Sequence, residues 1–215
     1  MGYKYQPKTK DELERAVKNE IDEQGADADL NCIDTSLITD MRGLFYESKF
    51  NGDISNWDVS RVKDMRSMFA YSQFNGDISK WNVSKVDNMC AMFEESKFNG
   101  DISEWDVSRV TNMESMFYGS KFNGDISKWN VSRVSSMWGM FYKSVFNRDI
   151  SEWNVSKVVN TRYMFEYSNF NQDVSKWNVG VGCDTYCMYN ENKIKPHFKH
   201  NYVDMGEGID IDDLY

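Results

Sequence analysis

Four residues near the C-terminus are of the types that bind zinc. Cys183, Cys187, His197 and His200 follow the spacing C-x3-C-x9-H-x2-H. Zinc takes thiolate and imidazole ligands tetrahedrally, so this set predicts a metal site that would hold the end of the chain together. The gaps are shorter than those of a zinc finger, and Cys187 falls in a register that holds Gly, Ser or Ala in the five copies from Gly43 to Gly139. The alternative is therefore a small packed side chain.

A second set of candidate metal ligands is a series of aspartates that recurs every 24 residues. Its members are Asp53, Asp77, Asp101, Asp125, Asp149 and Asp173. Stacked carboxylates about 5 Å apart repel each other unless something compensates them. A row of Ca²⁺ ions would do so, and so would backbone N–H groups donated by each aspartate's own turn. We favour the turn, because no second acidic residue recurs beside the aspartate in every copy.

Two further polar positions flank a repeated tryptophan. The position before it alternates in charge from its second copy onward: Asn56, Lys80, Glu104, Lys128, Glu152 and Lys176. Opposite charges on neighbouring strands attract by roughly 0.2–1 kcal/mol per pair, which predicts a self-neutralising structural face rather than a ligand groove. The position after it holds only Asp or Asn, and we expect these side chains to hydrogen-bond along the stack.

Clustered aromatic residues are the best candidates for binding a partner. Trp138, Tyr118, Tyr142, Tyr163 and Tyr167 fall at or next to positions that vary between copies, where other copies hold Arg, Cys, Glu or Ala. Tyr and Trp are common anchors of protein interfaces. The sequence therefore predicts a protein-binding face here, and the alternative is that these rings pack on one another or on loop backbone.

All these residues are positioned by one internal repeat of 24 residues. The stretch "FNGDISNWDVSRVKDMRSMF" at 50–69 returns as "FNGDISKWNVSKVDNMCAMF" at 74–93 and continues in the same register to 179, after a weaker copy at 30–45. No insertion or deletion interrupts it. A strict period of this length is the sequence signature of a stacked repeat architecture, here of about seven turns.

The apolar residues of one copy predict its local structure. Trp57 and Val59 lie two residues apart, as in a short strand with both side chains turned inward. The steps of about three residues from Val62 onward favour one or two helical turns, with Ser60 as the cap. "FNGD" is typical of a turn. Stacking such units predicts an α/β repeat solenoid of short parallel strands and short helices around columns of Trp, Phe and Met.

A solenoid needs caps at its two ends. Thr9 and Glu12 predict a capping box, Leu13, Val17 and Ile21 an apolar helix stripe, and Gly25 a helix stop. Beyond residue 179 the pattern decays into an irregular C-terminal cap. The predicted organisation is a capping helix in 1–25, repeats over 26–179, a C-terminal cap at 180–203 and an acidic tail at 204–215.

The repeat "FNGDISxWDVSxVxxMxxMF" resembles that of the BspA-type leucine-rich-repeat surface proteins, including the lipoprotein-like arrays of mycoplasmas. The resemblance covers residues 26–179. It implies a right-handed, leucine-rich-repeat-like coil, used for adhesion or protein binding, with no catalytic residues and a place at the cell surface or outside the cell. Two copies depart from the pattern, because Arg148 and Gln172 replace the residue equivalent to Gly52, which is expected to need a positive φ.

Composition excludes several classes of function. The formal charge is -9 and the isoelectric point about 4.8, which argues against a general nucleic-acid binder. No stretch approaches the length of an apolar membrane span, and the start "MGYKYQPKTK" lacks the apolar core of a signal peptide. As written, the chain is expected in the cytoplasm, and its four scattered cysteines suit a reducing compartment.

Taken together, these features predict a non-enzymatic scaffold that binds a protein. Both histidines lie outside the repeats, and no nucleophile-base pair or phosphate-binding loop is evident. No cofactor is expected unless zinc or calcium binds at the sites above. The alternative is a structural solenoid that binds metal ions or matches a regular lattice such as ice or mineral. The lattice hypothesis rests on a column of serines: Ser55, Ser79, Ser103, Ser127, Ser151 and Ser175.

Overall fold

The computed structural model describes residues 2–189, and within this range it contains one helix, α1 at Lys10–Gln24. The Thr9 hydroxyl accepts a hydrogen bond from the Glu12 N–H (3.3 Å), and the Glu12 carboxylate accepts one from the Lys8 N–H (2.7 Å). Gly25 ends the helix with φ 88°. The predicted helix and its ends are thus confirmed, except that Glu12 caps Lys8 instead of Thr9.

Successive copies of the repeat are joined by parallel β-bridges. From Asp40 onward each bridge pairs one residue with the residue 24 positions later, and it recurs once in every copy. The bridged residues are Asp40, Asp64, Asn88, Asn112, Ser136, Asn160 and Asp184, preceded by the separate pairs Tyr5 with Ile33 and Asp29 with Asp53. None of these bridges extends into a longer strand among residues 2–189. Like residues therefore lie above like residues along the stack.

The segment after each bridge uses its backbone N–H groups alternately in two directions. In residues 65–72, every second N–H donates to the carbonyl 23 residues ahead: Met65 to Asn88 (3.0 Å), Ser67 to Cys90 (2.9 Å), Phe69 to Met92 (2.9 Å) and Tyr71 to Glu94 (2.7 Å). The N–H groups between them close local turns, such as Met68 to the Met65 carbonyl at 3.2 Å. Half of the segment therefore binds the next copy and half shapes its own turns.

The predicted short helices do not form in the described repeats, and turns replace them. Ser67 and Tyr71 adopt φ 53° and 57°, and a left-handed residue returns at one or both of these positions in every copy from Gly43 to Cys187. A right-handed helix cannot contain such residues at every fourth position. Consecutive tight turns bury residues three or four apart, as a helix does, and this similarity explains why the apolar spacing was misleading.

The predicted strand at Trp57 and Val59 is also wrong. Neither residue forms a bridge, because the Trp57 N–H closes a turn with the Ile54 carbonyl (3.1 Å) and the Val59 carbonyl closes the next turn with the Val62 N–H (2.9 Å). Ser60, predicted to cap a helix, donates its own N–H to the Asp58 carboxylate (2.9 Å). The solenoid class and the handedness of the coil stay predictions, and residues 190–215 lie outside the described part.

Lys143 offers a direct test of the left-handed positions. Its side chain is exposed and its φ is 54°. Lys143→Gly is expected to be more stable than Lys143→Ala by about 1 kcal/mol, because only Gly lacks the Cβ that this backbone disfavours. Urea unfolding of the two variants measures the difference. At Lys18, exposed inside α1, the same pair should rank in the opposite order. Equal stability of the two Lys143 variants would contradict the assigned backbone.

The core consists of stacked columns of apolar side chains, and the predicted inward residues are confirmed. The apolar residues of the copy at 50–74, apart from Tyr71, are at most 4% exposed. Phe69 and Phe93 stack with ring centroids 5.6 Å apart, and Phe74 and Phe98 stack at 6.3 Å in a neighbouring column. The two columns interlock, since Phe69 and Phe74 lie only 4.4 Å apart. Stacked rings thus run without interruption through the array.

The tryptophan column adds a polar link between copies. Each indole N–H donates to a buried carbonyl 27 residues earlier, as in Trp105 to Ile78 at 3.1 Å. The same bond joins Trp57 to Leu30, Trp81 to Ile54, Trp129 to Ile102, Trp153 to Ile126 and Trp177 to Ile150, at 3.0–3.2 Å. Trp therefore recurs both for its area and for a donor that Phe lacks.

Gly52 and its equivalents do not need a positive φ, contrary to the expectation from the sequence. None of Gly52, Gly76, Gly100 and Gly124 has a left-handed backbone. A Cβ on Gly76 would lie 2.8 Å from the Phe74 ring, so the close approach of that ring is what favours Gly. Arg148 is compatible with this ordinary backbone, and its guanidinium donates to the Asn123 carbonyl (2.8 Å).

Candidate binding surface

The predicted aromatic residues do lie together in the structure. Tyr118 and Tyr142 stack with ring centroids 4.8 Å apart, and Tyr142 meets Tyr163 and Tyr167 edge-on at 6.3 and 5.5 Å. Trp138 packs edge-on against Tyr163 at 6.1 Å. These five residues and Tyr186, which meets Tyr163 at 5.6 Å, are called the aromatic cluster here. The part of the prediction that concerned proximity is confirmed.

The aromatic cluster has a buried base and an exposed edge. Tyr142 and Tyr163 are only 4% and 7% exposed, and they form a hydrophobic cluster separate from the main core. Tyr118 and Trp138 are half-buried, while Tyr167 is 61% exposed. The buried rings hold the others in place, so the exposed ring loses little conformational freedom when a partner covers it.

A cation completes one side of the aromatic cluster. The Arg162 guanidinium lies 5.5 Å from the Tyr163 ring centre and 5.0 Å from that of Tyr186, and it pairs with the Asp184 carboxylate at 3.2 Å. Hydrogen bonding to Tyr163 and the nearby Asp184 charge raise the pKa of Arg162. Sequence reasoning missed Tyr186 as a member, although it stands 24 residues after Arg162 and 48 after Trp138.

Tyr46 and Tyr71 form a smaller exposed pair in an early part of the array. Their rings meet edge-on at 5.7 Å, and they are 49% and 40% exposed. The Tyr71 hydroxyl donates to the Glu94 carboxylate at 3.0 Å, and burial raises the pKa of Glu94. This pair resembles the edge of the aromatic cluster in exposure but has no buried aromatic base, since neither Tyr46 nor Tyr71 is buried. It therefore provides a matched control.

The repeated aspartates make the predicted turns. Each carboxylate accepts a hydrogen bond from the backbone N–H of the serine two residues later, at 2.8–2.9 Å in all six copies. These backbone bonds hold the pKa of every one of the six carboxyls below its ordinary value. The turn prediction is confirmed, and Ca²⁺ binding by this column stays a prediction.

The polar positions beside the tryptophans behave less uniformly. Glu104 pairs with Lys128 at 3.8 Å and Glu152 with Lys176 at 2.9 Å, so two of the predicted opposite-charge pairs form. The Asp or Asn after the tryptophan does not bond along the stack as expected, because it accepts from its own turn, as Asp106 does from the Ser108 N–H (3.0 Å). A different residue makes that ladder: the Asn75 side chain accepts from the Asn99 N–H at 2.7 Å.

The predicted zinc ligands are only partly visible in the structure. Cys183 packs against the main core, where its sulfur lies 3.7 Å from the Thr161 hydroxyl and burial raises its pKa. Cys187 instead packs against the aromatic cluster, with φ 47°. His197 and His200 lie outside the described residues. Within residues 2–189, no group of three or more His, Cys, Asp or Glu side chains is arranged to hold a metal ion.

The fold and surface together define a repeat protein, in which successive 24-residue copies are joined by parallel bridges. Two overlapping parts of the chain, residues 12–121 and 94–202, match the family described as "Mycoplasma protein of unknown function, DUF285". The chain belongs to this mycoplasma-type repeat family. No curated protein and no solved structure matches the chain. In the described part, no helix has the length and apolar character needed to cross a membrane.

Proposed function

We propose that this protein is a non-enzymatic scaffold of the leucine-rich-repeat-like solenoid type that binds a protein partner, in adhesion or a related contact, through the aromatic cluster. The observation that carries the proposal is the exposed Tyr167 ring, which packs against the buried Tyr142 ring, and Tyr142 in turn contacts the buried Tyr163 ring. Tyr142 and Tyr163 form a hydrophobic cluster separate from the main core, which buries the repeated Phe, Trp and Met residues.

The chemistry of the aromatic cluster suits a protein surface. Tyr and Trp supply large contact areas with few rotatable bonds, and Arg beside them binds carboxylates. Arg162 is already paired with Asp184, so a partner would meet a charge whose geometry is fixed. The parallel bridges at intervals of 24 residues support the solenoid assignment, and they give the cluster a rigid base.

The test uses variants that spare the buried rings. Tyr167→Ala combined with Trp138→Ala removes the exposed ring and a half-buried ring beside it, and Tyr46→Ala combined with Tyr71→Ala removes two exposed rings elsewhere. Proteins retained from an extracellular-matrix or cell extract are identified by mass spectrometry, and the partner is then purified. Its dissociation constant is expected to rise at least about 30-fold for the first variant, as for loss of an interface anchor, and to stay nearly unchanged for the control.

Other results would overturn the assignment. Equal weakening by both variants would place binding outside the aromatic cluster, and turnover of any substrate would contradict a non-enzymatic role. Circular dichroism and thermal melting of both variants must match the parent, since a partly unfolded array would lose binding for a different reason. Thermal hysteresis of the protein, without a retained partner, would favour the lattice-binding alternative.

A further inference from the structure

A column of basic side chains runs along the array in a register that the aromatic cluster does not use. Its members are Arg61, Lys85, Arg109, Arg133 and Lys157, one in each of five consecutive copies. All five are exposed. The column ends at both sides in apolar residues of the same register, the exposed Leu37 and Val181. We call these five residues the basic column.

The basic column carries uncompensated positive charge. In the part of the chain that the structure describes, none of its members forms an ion pair. Three acids near the column in sequence are bonded elsewhere: Asp58 and Asp106 accept from the Ser60 and Ser108 backbone, and Asp64 pairs with Arg66. Asp87, two residues after Lys85, is exposed and forms no ion pair with it. By contrast, Lys128 and Lys176 pair with glutamates of the preceding copy. The protein thus concentrates positive charge on one line although its net charge is -9.

The spacing of the basic column determines what fits it. Neighbouring copies joined by parallel bridges lie about 4.8 Å apart, so the five charges span roughly 19 Å. Like charges directly opposite each other in a sheet are destabilising. A linear polyanion laid along the stack would neutralise this repulsion and would release its own counterions on binding.

We propose that the basic column binds a linear anionic polysaccharide with one carboxylate on each sugar ring. A sugar ring is comparable in length to the spacing between copies, so the polymer carries about one negative charge for each basic side chain along the column. A column of serine hydroxyls lies directly beside the basic residues and suits the sugar hydroxyls: Ser60, Ser84, Ser108, Ser132 and Ser156, all at least partly exposed.

Two other kinds of polyanion fit less well. An extended acidic peptide presents same-side carboxylates about 6.6 Å apart, which is wider than the spacing of the copies. Single-stranded nucleic acid is held by aromatic rings on which its bases stack. The exposed aromatic residues of the described chain, Tyr3, Tyr46, Tyr71 and Tyr167, lie in other registers of the sequence or before the array.

The experiment measures binding of polygalacturonate to the full chain at low ionic strength, by calorimetry or a sedimentation assay. The test variant combines Lys85→Gln, Arg109→Gln and Arg133→Gln. A matched variant with the same change in net charge combines Lys49→Gln, Lys97→Gln and Lys121→Gln, which are exposed lysines in another register. The test variant is expected to bind at least about tenfold more weakly than the parent and to show a smaller salt dependence, while the matched variant keeps both.

Each remaining outcome contradicts the proposal. Equal losses of affinity in the two variants would mean that only the net charge matters. If the parent protein did not bind polygalacturonate, the proposed site would be wrong. Hyaluronate carries a carboxylate on every second sugar only. If the protein bound hyaluronate as tightly as polygalacturonate, the spacing of the charges would not determine binding. Tighter binding of an oligothymidylate than of polygalacturonate would assign the basic column to nucleic acid. These results leave the role of the aromatic cluster unaffected, because none of its residues is changed.

Discussion

Phe117→Ala is expected to lower the free energy of unfolding by about 3–5 kcal/mol. The Phe117 ring is fully buried and contacts the rings of Phe93, Phe122, Trp129 and Phe141, with centroids 4.4–6.4 Å away. Truncation would leave a cavity in the middle of two interlocked columns. Neighbouring rings cannot collapse into it, because each is held in its own copy by backbone bonds to the copies on either side.

Urea unfolding followed by tryptophan fluorescence and by circular dichroism measures this effect. Tyr46→Ala removes an aromatic ring that is 49% exposed, and it should cost less than about 1 kcal/mol. Phe117→Leu should lie between the two, because it retains most of the buried volume. A loss below 1 kcal/mol for Phe117→Ala would mean that the stacked columns do not determine the stability of the array.

Trp105→Phe is expected to cost about 2–3 kcal/mol, although it keeps an aromatic ring. The substitution removes the buried hydrogen bond from the indole N–H to the Ile78 carbonyl (3.1 Å) and part of the packed volume. The Ile78 carbonyl keeps its second donor, the Trp81 N–H at 3.1 Å, so it is not left wholly unpaired. Because this bond remains, the expected loss of stability is well below the loss that a cavity and a carbonyl without any donor would cause together.

The matched substitution is Trp138→Phe in the aromatic cluster. Trp138 is only half-buried and lies outside the main core, so the same change should cost less than about 1 kcal/mol there. Unfolding midpoints and slopes of both variants can be compared directly, because each protein still contains six of its seven tryptophans. Equal losses at the two positions would show that the inter-copy indole bond contributes nothing beyond ring volume.

The sequence predicted the environment of a side chain correctly wherever the repeat or the local turn allows only one environment. Trp57, Met65 and Phe74 were correctly predicted to be buried, because a strict repeat with large apolar residues can hide them only between copies. Asp101 and its equivalents were correctly predicted to accept backbone N–H groups. Such bonds are local, and a side chain two residues from its donor determines them without help from the rest of the fold.

The sequence misled where the direction of the backbone depends on the neighbouring copy. Ser67 and Tyr71 are not typical left-handed residues, yet both have a positive φ while they donate their N–H groups to the next copy. The local sequence does not predict this positive φ, since contacts with residues 23 positions away stabilise it. For the same reason, the sequence did not predict the hydrogen bond of the Trp105 indole, whose partner is 27 residues earlier. It also did not predict the ladder in which the Asn75 side chain accepts from the Asn99 N–H.

The restriction of each copy's hydrogen bonds to its immediate neighbours has a consequence for heredity. A gene with nearly identical tandem segments gains or loses one whole segment when its strands misalign during recombination. In this protein, a lost copy would bring together two surfaces that already recognise each other, since Trp129 meets Ile102 by the same bond with which Trp105 meets Ile78. The number of copies can therefore drift within a population while the capping helix and the register of the array are preserved.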